Sequence, residues 1–136
     1  MSSLETAVIL AAGMGSRLAR FTRVVPKPLV PVGGTSLLER ALARCQAAGL
    51  KRAVIATGYK AEVLRNRIGK SFHGFPIAYV HNPAHETTNN VTTVALLADV
   101  LGQGAILLEG DVLFSEGLLP ALLQGGADSA RWAVSP

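Results

Sequence analysis

Residues 8–34 read VILAAGMGSRLARFTRVVPKPLVPVGG: an apolar run breaks into two glycines, and four cations follow with no carboxylate among them. The run that opens this stretch, TAVILAA from Thr6, is short, apolar and β-branched, which predicts a strand buried on both faces of a parallel sheet. Gly13 ends it, and the loop beyond carries Gly15 and Arg17, then Pro26, Lys27 and Pro28. Glycine lets backbone N–H groups approach an anion closely, and Arg17 and Lys27 add cationic donors, so the composite suits a phosphate. The plainer reading is a tight turn with solvated basic residues. Two familiar phosphate loops do not fit. The dinucleotide fingerprint needs a third glycine where Leu18 stands and an acidic residue about 20 positions on. The Walker loop needs Gly-Lys-Ser/Thr, a tripeptide this chain lacks.

Outward from the stretch, strands and helices alternate. A helix is predicted from Ser36, where SLLE forms a capping box with Glu39; Leu38, Ala41, Leu42 and Cys45 line its inner stripe, and Gly49 stops it. RAVIAT, ending at Gly58, is a second strand, followed by a short amphipathic helix over Lys60–Ile68. PIAYV, opening with Pro76, is a third strand ending in His81-Asn82-Pro83. Asn90 caps a helix whose Val91, Val94, Leu97 and Leu101 share a face, and AILLE is a fourth strand terminating in Gly110-Asp111. SEGLLPALLQ, interrupted by Pro120, is a further helix, and RWAVS a fifth strand. This alternation predicts a three-layer α/β/α fold around a mostly parallel sheet. Ligands of such sheets sit outside the carboxyl ends of the strands, here Gly13, Gly58, Asn82 and Asp111.

Composition narrows the partners. With 49% hydrophobic and 16% charged residues, a chain of 136 residues can bury one domain core. No apolar run is long enough to span a membrane, and MSSLET lacks the layout of a secretory signal, so the cytoplasm is the expected compartment. Residues 1–70 hold 12 of the 13 Lys and Arg against three carboxylates (net +9), and residues 71–136 hold one Arg against six carboxylates (net −5). Aromatics are only 5%, which disfavours nucleic acid as partner; a polyphosphate held by one half and a cation by the other fits the asymmetry better. Cys45, on the apolar stripe, is expected to be a buried small hydrophobe.

AVILAAGMGSRL followed by PKPLVPVGGTSLLER resembles the signature of the nucleotidyltransferases that join a nucleotide to sugar phosphates and small alcohol phosphates. VIATGYKAEVL and LLEGDVLF are similar to that family's second strand and its metal-binding strand, and HNPAHETTNNVTTVALL resembles the choline-phosphate and aminoalkylphosphonate cytidylyltransferase branch. The resemblance implies a Rossmann-like, GT-A-like nucleotidyltransferase fold, present here incompletely. It implies that the backbone of Leu10, Ala11, Ala12 and Gly13 lies against the nucleobase, that Met14, Gly15, Ser16 and Arg17 wrap the triphosphate, and that Lys27 reaches the phosphates. Asp111 is the implied Mg²⁺ ligand. Asn89 and Asn90 are candidates for contacts to base, ribose or acceptor, with helix capping as the alternative for Asn90. Glu109 shares a strand side with Asp111 if the strand continues that far, or else orients a turn. His81 and His85 are separated by Pro83, which rules out a helical metal pair and leaves them as loop histidines.

The reaction so implied transfers a cytidylyl group from CTP to a phosphocholine-like or aminoalkylphosphonate acceptor and releases pyrophosphate. No nucleic acid or membrane partner is expected. A sugar-1-phosphate nucleotidyltransferase and a non-catalytic nucleotide-binding module are the alternatives, and a dinucleotide-dependent oxidoreductase shares the fold class. Members of the family are longer, with a second acidic metal ligand and most of the acceptor pocket in their later half. Residues 1–136 are therefore expected to be the N-terminal, nucleotide-binding part of the domain.

Overall fold

In the computed structural model, residues 5–11, 26–82, 95, 97–109, 117 and 119–120 are described. Their centre is a sheet of β1 (Thr6–Ala11), β4 (Arg52–Thr57), β6 (Phe75–His81) and β7 (Ile106–Glu109), all parallel, with the short β5 (Ser71–Phe72) antiparallel at the edge; the order is β5-β6-β4-β1-β7. Every residue of β1 is buried, and in β4 all but Arg52, as the uninterrupted apolar runs predict for strands covered on both faces.

Period-2 alternation divides the core. Ala7, Ile9 and Ala11 face one side, against Leu38, Leu42 and Cys45 of α1 (Leu37–Ala47) and Leu64 and Ile68 of α2 (Ala61–Ile68). Val8 and Leu10 face the other, against Leu97, Val100 and Leu101 at α3 (Ala98–Gly102). Three layers result. Cys45 is fully buried, and the loss of solvent pushes its thiol up to about 12, so it is an inert core residue as expected. Tyr79, half-buried, donates its hydroxyl to the Gly69 carbonyl at 2.5 Å and stacks near Arg65; burial pushes its phenol up, and the guanidinium partly offsets this.

The capping box forms with a difference. The Ser36 hydroxyl accepts from the Glu39 N–H at 3.1 Å, but it also donates to Glu39 Oε1 at 2.8 Å, and Arg67 holds the same oxygen at 3.1 Å. Ser36 is at once the cap of α1 and the end of β3 (Thr35–Ser36), where it pairs with Pro31 of β2 (Pro31–Val32), so the carboxylate bonds to its hydroxyl. The β2–β3 hairpin was not expected from the sequence. Its two-residue turn, Gly33-Gly34, has φ of 65° and 88°, the left-handed pair that such hairpins require. Arg40 clasps it from α1, with Nε and Nη2 at 3.2 and 2.6 Å from the Val32 carbonyl; a Cβ on Gly33 would meet Nη2 at 3.0 Å.

Further corrections are local. α2 starts at Ala61, with Lys60 as a cap in the left-handed conformation, and β6 starts one residue before Pro76 because Phe75 pairs with Phe72 across a turn. His81 is the last residue of β6 and not part of a loop. Leu97 and Leu101 share a face as predicted, whereas the start of that helix at Asn90, most of SEGLLPALLQ and all of RWAVS lie outside the described residues.

Candidate functional site at the carboxyl edge of the sheet

The order of the parallel strands reverses at β1. The chain moves from β1 to β4 and then to β6 on one side, and returns to β7 on the other. At such a reversal the loops leaving neighbouring strands diverge and open a crevice, which is where ligands of doubly wound sheets bind. β1 and β7 are in register, with Leu10 opposite Glu109. In sequence, Gly13 follows Ala11 by two residues and Asp111 follows Glu109 by two, so the glycine loop and the acidic residue emerge from adjacent strand ends.

Leu10 and Ala11 have buried side chains, Leu10 towards α3 and Ala11 towards the α1 layer. Only their backbone remains to meet a ligand. Lys27 opens a 3₁₀ turn, Lys27–Leu29, between two buried prolines; the Leu29 N–H donates to the Pro26 carbonyl at 2.9 Å, and Leu29 anchors the turn in the core beside Leu38 and Leu42. Fixed proline φ angles and this anchor make the turn a rigid base for whatever Lys27 reaches. Glu109 is exposed at the end of β7 and, by alternation, on the α3 face with Leu10. Ala12, Gly13, Met14, Gly15, Ser16, Arg17, His85, Asn89, Asn90 and Asp111, and the side chain of Lys27, lie outside the described residues.

A polar group that pattern reading missed lies on the other side of β1. Ala11, Thr57 and His81 are successive partners across β1, β4 and β6. Thr57 is fully buried, and its Oγ1 lies 3.2 Å from His81 Nδ1; the buried Asn82 donates its N–H to the Thr57 carbonyl at 2.8 Å. No periodicity could have joined Thr57 to His81, which are 24 residues apart. Among the described residues no group of three or more His, Cys, Asp and Glu is placed to hold a metal, and no helix is long and apolar enough to cross a membrane.

A doubly wound sheet with its crevice beside a glycine-rich loop is a nucleotide-binding α/β architecture. The chain belongs to the nucleotidyl transferase family, whose pattern matches residues 6–135. It is 40% identical over 130 residues to the CMP-5'-(3-aminopropyl)phosphonate synthase of Streptomyces rubellomurinus, covering 96% of this chain and 21% of that protein. To the 2-aminoethylphosphonate cytidylyltransferase of Lancefieldella rimae it is 33% identical over 112 residues, 81% of this chain and 44% of the relative. Among solved structures, the CTP:phosphocholine cytidylyltransferase of Streptococcus pneumoniae superimposes with a TM-score of 0.69 at 26% identity, over 85% of this chain and 48% of that one. The chain thus spans less than half the length of each of these relatives.

Proposed function

We infer that the protein transfers a cytidylyl group from CTP to a small phosphate or phosphonate acceptor, with release of pyrophosphate, and that residues 1–136 are the nucleotide-binding part of the transferase domain. The observation that carries this reading is the pairing of β1 with β7, from whose adjacent ends the glycine loop and Asp111 continue. The relatives named above all act on cytidine nucleotides, and two of them on aminoalkylphosphonates, which supports CTP and that acceptor class.

An acceptor oxygen attacks the α-phosphorus in line as the bond to the pyrophosphate oxygen breaks. A phosphate or phosphonate is already ionised at neutral pH, so no general base is needed. The protein must bring two mutually repelling anions together and stabilise charge on the equatorial oxygens. In this reading the backbone N–H groups of Gly13 to Ser16, with Arg17 and Lys27, hold the triphosphate; the backbone of Leu10 to Gly13 lies against the base; and Asn89 and Asn90 contact base, ribose or acceptor. Mg²⁺ asks for hard oxygen ligands from one or two carboxylates, the rest coming from water and phosphates. Glu109, a carboxylate exposed at the end of β7, is compatible with this need, and Asp111 follows it at the same strand end. Asp111 would hold the ion, with Glu109 beside it, and the bound ion neutralises phosphate charge.

The experiment is pyrophosphate release by the full chain given CTP, Mg²⁺ and, in turn, 2-aminoethylphosphonate, 3-aminopropylphosphonate and phosphocholine. Release with at least one acceptor is expected. CTP binding without release from any of them would instead support the non-catalytic module.

A further inference from the structure

We propose that His81 is a specificity-determining contact for the nucleobase of the bound nucleotide, and that Thr57 is the residue that positions it. The proposal rests on the reading of the β1–β7 crevice as the triphosphate site. His81 is exposed at the carboxyl end of β6, in the same row of strand partners as Ala11 and Thr57. Its ring is tied through Nδ1 to the hydroxyl of a fully buried threonine, and the next residue is tied by its N–H to that threonine's carbonyl. An exposed imidazole fixed at both ring and backbone keeps one orientation, and the hydroxyl on Nδ1 selects the tautomer. A ring of set orientation and tautomer can discriminate between hydrogen-bonding partners, which a freely rotating one cannot.

Position decides which part of the ligand it meets. With the phosphates on the β1–β7 side, the nucleoside extends to the other side of β1, over β4, where the chain continues into the buried Gly58 and offers no side chain to obstruct it. β6 comes next, two strand spacings or about 10 Å from β1. That is too far for a contact to phosphates anchored at β1 and β7. It is also the wrong place for the acceptor, which must approach the α-phosphorus directly. The base edge, a set of donors and acceptors on a rigid ring, is the partner an oriented imidazole suits.

Calorimetric titration of the full chain with Mg-CTP and with inorganic tripolyphosphate separates the contacts. His81→Ala, His81→Gln and Thr57→Val should each weaken CTP binding, His81→Ala by about tenfold, the scale of one lost hydrogen bond. Tripolyphosphate affinity should not change, and Thr57→Ser, which keeps the hydroxyl, should retain CTP affinity. Equal loss of CTP and tripolyphosphate would overturn the base contact in favour of a phosphate contact. Unchanged CTP binding by His81→Ala and His81→Gln, which need no cooperation from the buried threonine, would overturn it outright. A wild-type chain that binds neither ligand would instead remove the triphosphate site on which the proposal rests.

Discussion

The α1 layer and the carboxyl edge of the sheet are built from opposite materials. Beneath the sheet, Leu38, Leu42 and Cys45 close an apolar interior. At the edge, buried Thr57 and Asn82 and exposed His81 and Glu109 replace them within one or two residues of the strand ends. Burying polar groups costs stability unless they are bonded, so a sheet that ends in them trades some stability for recognition. The comparison predicts a division of labour: changes in the α1 layer alter stability and leave ligand affinity alone, and changes at the edge do the reverse.

The largest expected effect is at the edge. Asp111→Asn keeps size and removes charge, so in the full chain pyrophosphate release should fall roughly 100- to 1,000-fold, the scale of a lost electrostatic stabiliser. Metal-free CTP binding should hold or improve, since a negative charge beside the triphosphate is gone. A normal Mg²⁺-dependent rate would place the metal elsewhere. In the layer beneath, Leu42→Ala deletes a fully buried side chain and should lower unfolding free energy by about 2–5 kcal/mol in a denaturant titration, with CTP affinity of the folded protein unchanged. A parallel loss of affinity would break the comparison.

Much of the architecture was legible because its signals are local. β1, β4, β6 and β7 are apolar runs bounded by glycine or asparagine, and Ser36 with Glu39 marks the start of α1 within four residues. β2, β3 and β5 escaped because two residues carry no period; what makes them strands is the Gly33-Gly34 turn with its Arg40 clasp, and the pairing of Phe72 with Phe75. Of the candidate site, the strand ends that frame the crevice followed from the alternation of elements. The Thr57–His81 pair did not, since only the parallel pairing of β4 with β6 brings these residues together.

A smaller effect tests the α1 layer by pH. Burial raises the Cys45 thiol from 9.0 to about 12, so the folded protein stays protonated where the unfolded chain has ionised. Stability from this source is complete below pH 9 and lost as pH rises towards 12. By pH 10.5 the loss amounts to about 2 kcal/mol. Thermal unfolding from pH 8 to 10.5 should show a decline that Cys45→Ala reduces; Tyr79, also raised by burial, adds to the decline in the same direction. Equal slopes for the two proteins would mean that Cys45 is not sealed from solvent.

The most direct test of the central claim, that the β1–β7 crevice holds a cytidine triphosphate, is calorimetric titration of the full chain with CTP, UTP, ATP and GTP, with and without Mg²⁺. The account predicts Mg²⁺-dependent binding that is tightest for CTP and is lost in Lys27→Ala. Equal affinity for all four nucleotides would contradict the cytidylyl assignment, and the absence of binding to any of them would contradict the crevice itself.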